Sequence, residues 1–277
     1  MPELIEYTSA TKMAAVYRRS IARIRRVLVE LADECEAMNA AFDEAYAFNI
    51  DLQVGGERMK PGVEAADRIS DYMKRRAWSA LVEKLGIRKI MSSTRQAELD
   101  EALHPDRRRL GYGEQPPDLP EIDEDTIYDV LSGMVQSADE FLQEAITEEY
   151  DWWKPRKSYA NYKRNSEFRL NRRVIRPWMV EREWNRWRPR YHNESHVTAL
   201  DRIFHALDGC GIPPGHYGPL GEAIRSCGPE GRGETVYFVF RCCKNGNLHL
   251  EFKRQDLLDR FNEIAGRNRL PNPEEAA

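Results

Sequence analysis

Glu251 and Lys253 stand one residue apart in CCKNGNLHLEFKRQD, residues 242–256, on a stretch whose alternation reads as a β-strand. A Glu-x-Lys pair on a strand is the catalytic edge of many metal-dependent nucleases. A nuclease of the restriction-enzyme type needs a second acid close by, because both carboxylates must reach one divalent ion at about 2.1 Å. The upstream acid is Glu234, five residues beyond Val239, the residue expected to face Glu251. At roughly 3.3 Å per residue that is about 16 Å, too far to share an ion. The preferred reading is a solvated strand face on which Arg241 offsets Glu251 diagonally. No catalytic residue, metal ligand or cofactor is assigned, and a metal nuclease centred on Glu251 and Lys253 stays as the second alternative.

The motif YHNESHV holds His192, Glu194 and His196. His192 and His196 at helical spacing would present two imidazoles to a zinc ion, but a third ligand is required and only Cys210 or His216 is near in sequence. The His-x-Glu pair lacks the Pro-Cys-x-x-Cys that zinc deaminases carry. The motif is read as a helix start capped by Asn193 or Ser195. GPLGEAIRSCGPEGRGE matches neither the P-loop nor the dinucleotide fingerprint and is read as a connection.

The strongest physical signal is cationic. Residues 154–190 hold thirteen Lys or Arg against three Glu, a net of +10, which leaves -14 for the rest of a chain whose total is -4. Five of the six tryptophans fall between Trp152 and Trp187. Lys157, Lys163, Arg164, Arg172, Arg173, Arg176, Arg186 and Arg188 are the candidate phosphate contacts, and Trp178, Trp184 and Trp187 the candidate platforms for unpaired bases. Two other uses compete: pairing with the chain's own acids, including Arg stacked on Trp, and recognition of an acidic protein.

These residues need a scaffold. From about Ser9 to Phe48 the apolar positions Ala14, Tyr17, Ile21, Ile24, Leu28, Leu31, Cys35, Met38 and Phe42 alternate three and four, the seam of one long helix. A second helix follows Pro61-Gly62, lined by Ile69, Met73, Ala77, Leu81 and Leu85 and stopped at Gly86. A short helix starts near Ser93, and a Pro- and charge-rich linker spans 104–125. The next helix starts near Thr126, runs through Ala145, and is expected to pack along the first helix's seam. NSEFRLNRRVIRPWMV reads equally as a strand pair or one bent strand. A helix over Ser195–Leu207 follows, then two strands and a closing helix that ends at Gly266. In the hairpin, a three-residue turn with Gly246 left-handed puts Phe238, Phe240, Cys242, Leu248, Leu250 and Phe252 on one face. Tyr237, Val239, Arg241, His249, Glu251 and Lys253 fall on the other.

The fold expected is therefore α+β: a helical region over 1–153 with the long helix in its layer, and a region over 154–277 made of the basic aromatic arm and a small mixed part built on the hairpin and its closing helix. The 277 residues are 41% hydrophobic, enough for a core, and 32% charged, above the usual quarter. No apolar run approaches the roughly 18 residues of a membrane span, and no signal pattern opens the chain. Five cysteines without a C-x-x-C pair fit a reduced cytoplasmic protein, here of a host cell. The heptad seam also allows a homo-oligomer.

RRAWSALVEKLGIRKIM, ALDRIFHALDG and especially KNGNLHLEFKRQDLLDRFN, taken together, resemble the family described as domain of unknown function 4942, over about 60 to 265. Its members occur in phages and integrated elements of bacteria, some joined to or beside adenine-specific DNA methyltransferase domains. The resemblance implies that setting and supplies no catalytic residues. The chain lacks the NPPY or DPPY tetrapeptide of an amino-methyltransferase, and its middle arm is richer in Trp and Arg than the family's pattern. The function expected is a non-catalytic accessory protein of a phage or mobile element that binds nucleic acid through residues 154–190. Its affinity should fall steeply with salt and be abolished by charge reversal at Arg172, Arg173 and Arg176. The first alternative is a protein-binding inhibitor of a host anti-phage defence complex.

Overall fold

The structure is a computed structural model and describes residues 7–42, 50–54, 56–105, 117–154, 169–184 and 186–267. The fold is α+β. The chain divides into two compact units, an N-terminal one of Glu3–Leu85 with Ala97–Gln136 and a C-terminal one of Gly86–Gln96 with Ser137–Ala277.

In the N-terminal unit, α1 (Tyr7–Ala41) runs unbroken because neither Gly nor Pro interrupts it. It packs against α2 (Val63–Leu85) and α4 (Glu124–Gln136). The heptad seam is covered over part of its length. Ala14 and Leu28 are buried, Ile21 and Ile24 half-buried, and Met38 and Phe42 exposed. A short hairpin, β1 (Leu52–Val54) with β2 (Glu57–Met59), precedes α2. Gly86, left-handed, ends α2 as expected.

The linker before α4 is pinned rather than loose over its described part. Arg75, buried on α2, donates to the carbonyls of Ala102 and Pro117 at 2.7 Å each and pairs with Asp71. Trp78 Nε1 donates to the Pro120 carbonyl at 2.9 Å. Asp123 then caps α4, accepting from the Thr126 backbone N–H at 2.8 Å and from its hydroxyl at 2.9 Å. These two bonds hold the Asp123 carboxyl below its ordinary pKa. The helix expected from Thr126 through Ala145 is two helices. It breaks at Ser137, and α5 (Ala138–Trp153) buries Ala145, Ile146, Tyr150 and Trp153 in the core of the C-terminal unit instead of along α1. The 3,4-spacing continues across the break, so apolar periodicity alone did not reveal it.

The C-terminal unit is built on a four-stranded antiparallel sheet of order β3 (Arg173–Arg176), β8 (Leu248–Phe252), β7 (Phe238–Cys242), β6 (Arg232–Glu234). Its inner face carries the apolar set expected of the hairpin. The register is the expected one, with Val239 opposite Glu251 and the Cys243 N–H donating to the Asn247 carbonyl at 2.9 Å around a turn whose Gly246 has φ 85°. Tyr237, assigned to the outer face, is buried: the strand begins one residue later, and the Tyr237 hydroxyl donates to Asp208 at 3.0 Å. Four helices cover the inner face, α5, α6 (Glu194–Leu207), α7 (Gly218–Ser226) and α8 (Gln255–Arg267), with Phe204 of α6 packed among Tyr237, Phe238, Phe252 and Phe261. Helix α8 runs through Gly266, which is not its stop. A second two-stranded sheet, β4 (Val180–Glu183) with β5 (Arg186–Pro189), packs beside them. The glycine-rich stretch read as a connection forms α7 (Gly218–Ser226) and the missed edge strand β6. No helix of the described residues is long and apolar enough to cross a membrane.

Helix α7 is anchored by one buried acid. Asp201 is fully buried on α6, and its Oδ2 accepts the Leu220 N–H in the first turn of α7 at 3.3 Å. A Cβ on Gly218, whose φ is 67°, would come 2.8 Å from that oxygen, so the contact requires glycine. The Asp201 carboxyl is pushed up to about 6 by burial, against the opposing pull of His205. A raised carboxyl pKa means the folded state keeps a proton that the unfolded chain has released, so stability is highest below the unfolded value and falls as pH rises to about 6. Denaturant unfolding between pH 4 and pH 7 is expected to show this fall in the wild type and a flatter profile in Asp201→Asn. Parallel profiles would contradict it.

Candidate nucleic-acid interface

The five tryptophans of the C-terminal unit separate into two groups. Trp153 is sealed in the core with its Nε1 donating to Glu149 at 3.1 Å. Trp187, on β5, is only 3% exposed and donates to the Pro229 carbonyl at 3.3 Å. Trp187 is therefore a core residue and not the stacking platform expected of it. Trp152 is half-buried inside a stack, with His196 at 3.9 Å and the Arg176 guanidinium at 4.3 Å from its ring. That stack is the internal Arg-on-Trp use of the arm.

Trp178 and Trp184 are the other group, at 60% and 92% exposure. Both have left-handed backbones, with φ of 60° and 48°. Trp178 follows Pro177 in the turn between β3 and β4, at a central position that turns with positive φ ordinarily give to Gly or Asn. Trp184 is the first residue of the turn that joins β4 to β5, where a two-residue hairpin prefers Asn or Gly. A bulky residue at positive φ is a backbone outlier that costs roughly 1–2 kcal/mol. Neither indole recovers this by burial. The Trp178 position is held from outside: Asn193 Nδ2 donates to its carbonyl at 2.8 Å, and the Val180 N–H donates to the Gly246 carbonyl at 3.1 Å. Asn193, one of the two caps expected for α6, stands at the N-cap position, but its side chain makes no capping hydrogen bond. The Arg190 guanidinium sits 4.9 Å from the Trp178 ring centre.

The arginines are distributed less generously than their number suggests. Arg172 and Arg173 both pair with Glu251, at 3.4 and 2.6 Å. Arg188 pairs with Glu181 at 2.8 Å and Glu183 at 3.0 Å, so the outer face of the β4–β5 hairpin carries two Glu against Arg186 and Arg188. Arg186 is exposed and makes no ion pair among the described residues. Lys157, Lys163 and Arg164 lie outside the described residues. Trp178, Trp184 and Arg186 reach solvent, Trp178 at the open end of the β4–β5 hairpin beside Arg190, and Trp184 and Arg186 at its turn.

The candidate nuclease edge also looks different. The chain reverses at Thr235–Tyr237, so Glu234 pairs with Val239 and shares a row with Glu251. Two strand spacings, about 10 Å, separate them, not the 16 Å expected along one strand. Each acid holds cations of this chain: Glu251 the two arginines of the β3 edge, Glu234 the Lys253 ammonium at 3.3 Å. Arg241 consequently does not offset Glu251. His192, Glu194 and His196 part company too. Glu194 pairs with Arg225, and His196 Nδ1 lies 2.9 Å from the buried Glu149, whose carboxyl burial pushes up against the pull of His196. Among the described residues no three of His, Cys, Asp and Glu converge as a metal site would.

A sequence model of the family described as domain of unknown function (DUF4942) matches residues 71–270. No curated protein and no solved structure matches the chain.

If Trp184 occupies its turn against backbone preference, Trp184→Asn should leave the melting transition unchanged or stabilise the protein by up to about 1 kcal/mol. A loss greater than 1 kcal/mol would mean the indole holds the hairpin.

Proposed function

The chain belongs to the family described as domain of unknown function 4942, and on that premise we propose that it is a non-catalytic accessory protein that binds single-stranded nucleic acid through Trp178 and Trp184. The observation that carries the reading is the pair of exposed indoles at positive φ, because strain kept at a surface position without a folding benefit points to a task there. An indole open on one side is a sequence-tolerant platform for an unpaired base. Arg190 beside Trp178 stiffens that ring and adds charge to it, and Arg186 beside the Trp184 turn is placed for a phosphate. The setting that fits is a phage or mobile element acting near DNA modification, in the reducing cytoplasm of a host cell. The five free thiols agree with that compartment.

A second reading has its own support. The hairpin's outer face is largely neutralised by Arg188 with Glu181 and Glu183, and exposed Trp is a common anchor of protein interfaces. A host defence or DNA-processing protein is the partner on that reading.

Quenching of tryptophan fluorescence by a single-stranded oligonucleotide separates the two. Trp178→Ala and Trp184→Ala are each expected to weaken binding about 10-fold or more, as is charge reversal at Arg186 for low-salt binding. Arg172 and Arg173 are poor test positions, because removing them strands Glu251 at the sheet edge. No quenching in low salt, with a stable host protein complex that survives nuclease, would favour the second reading and remove the first.

A further inference from the structure

The outer face of the four-stranded sheet allocates its charges unevenly. The register sets the residues in rows that cross the strands. One row is Arg173, Glu251, Val239 and Glu234, and it is neutralised within the chain, by Arg172 and Arg173 on Glu251 and by Lys253 on Glu234. The next row is Ile175, His249, Arg241 and Arg232, and it contains no carboxylate. Arg241 and Arg232 face each other directly on β7 and β6, both exposed, and neither makes an ion pair or hydrogen bond among the described residues.

Like charges directly opposite on a sheet repel, and ordinary surfaces relieve this with an interleaved acid. Here none is interleaved. His249 reports the same positive field, since burial and the Arg241 guanidinium hold its imidazole below the ordinary value. The row borders a hollow of about 280 Å³, lined also by Ile175, Val239, Arg173 and Glu251, the last an acid whose charge is already taken by Arg172 and Arg173. Two guanidinium groups over a hollow present N–H forks that match the oxygens of a phosphate, and an anion between them turns repulsion into attraction. We infer that this hollow is a phosphate site, in which Arg232 and Arg241 hold one phosphate group of a nucleic-acid strand and His249 donates a further N–H to it.

The choice of a nucleic acid as the source of the phosphate rests on the function proposed above. Position supports it. Ile175 heads the cationic row on β3, and only two residues, Arg176 and Pro177, stand between it and Trp178, at most about 10 Å of chain. The cations missing from the neutralised hairpin are therefore present at the same end of the sheet.

The test uses the full chain with labelled histidine rings and inorganic pyrophosphate as the probe, followed by a single-stranded oligonucleotide as competitor. The His249 ring signals should shift saturably with pyrophosphate. Arg232→Gln and Arg241→Gln should each weaken that binding about 10-fold or more, while Arg76→Gln on exposed α2 surface leaves it unchanged. The oligonucleotide should return the signals by displacement. A titration that leaves His249 unmoved, or that is indifferent to both arginine variants, overturns the site. In that case, quenching of the tryptophans by the oligonucleotide would still stand by itself. Pyrophosphate that shifts His249 but is not displaced by the oligonucleotide overturns nucleic acid as the ligand.

Discussion

Carboxylates are scarce around residues 154–190, which hold ten of the chain's 32 arginines against three Glu, and where each carboxylate goes decides which arginines stay free. Glu251 is the pivotal one. It sits on β8 between β3 and β7 and had a choice between Arg241 on one side and the arginines of β3 on the other. It takes Arg172 and Arg173. That choice ties the β3 edge to the hairpin and uses up two of the candidate phosphate contacts. It also leaves Arg241 facing Arg232 with no acid between them. Glu181 and Glu183 make a similar decision for Arg188. The positive face of the unit is thus displaced from the stretch with the most positive sequence to a sheet row contributed by β7 and β6.

Tryptophan follows an equally simple rule. Indoles whose N–H finds an acceptor in the core are buried, as with Trp153 on Glu149 and Trp187 on Pro229. Trp178 and Trp184 sit on turns whose backbone favours Gly or Asn, and their rings remain in water. Packing explains the first pair completely. It offers little for the second pair, where Trp178 gains only the Arg190 guanidinium over its ring and Trp184 is almost fully exposed, while the backbone preference argues against Trp at both. Those two positions are where local rules fail with the least structural return, which is why the proposed function places its site there.

Much of this was legible in the residues. The long helix, the α2 stop at Gly86 and the hairpin register each rest on a local rule: heptad spacing, a left-handed glycine, and the cost of turning an apolar set outward. The break at Ser137 was not legible, because α4 and α5 keep one apolar period while burying it in different cores. Helix α7 was hidden by glycines that suit a loop, and it stands because buried Asp201 meets its first turn. For the site, residue types in 154–190 pointed to cations and indoles, but not to which were spent internally. Strand β6 had no apolar alternation to announce it, so Arg232 was never placed beside Arg241. Pairing of charges is a property of neighbours in space, and the neighbours here come from 42 to 78 residues away in the case of Trp187 with Pro229 and Arg173 with Glu251.

The central claim is that the two outward indoles touch unpaired bases. Photochemical cross-linking of an iodouracil-substituted single strand to the full chain, with the adducts located by mass spectrometry, tests it at the level of the residue. The account predicts adducts on Trp178 and Trp184, suppressed by an unlabelled single strand. Adducts confined to other peptides, or none at all at saturating strand, would contradict it.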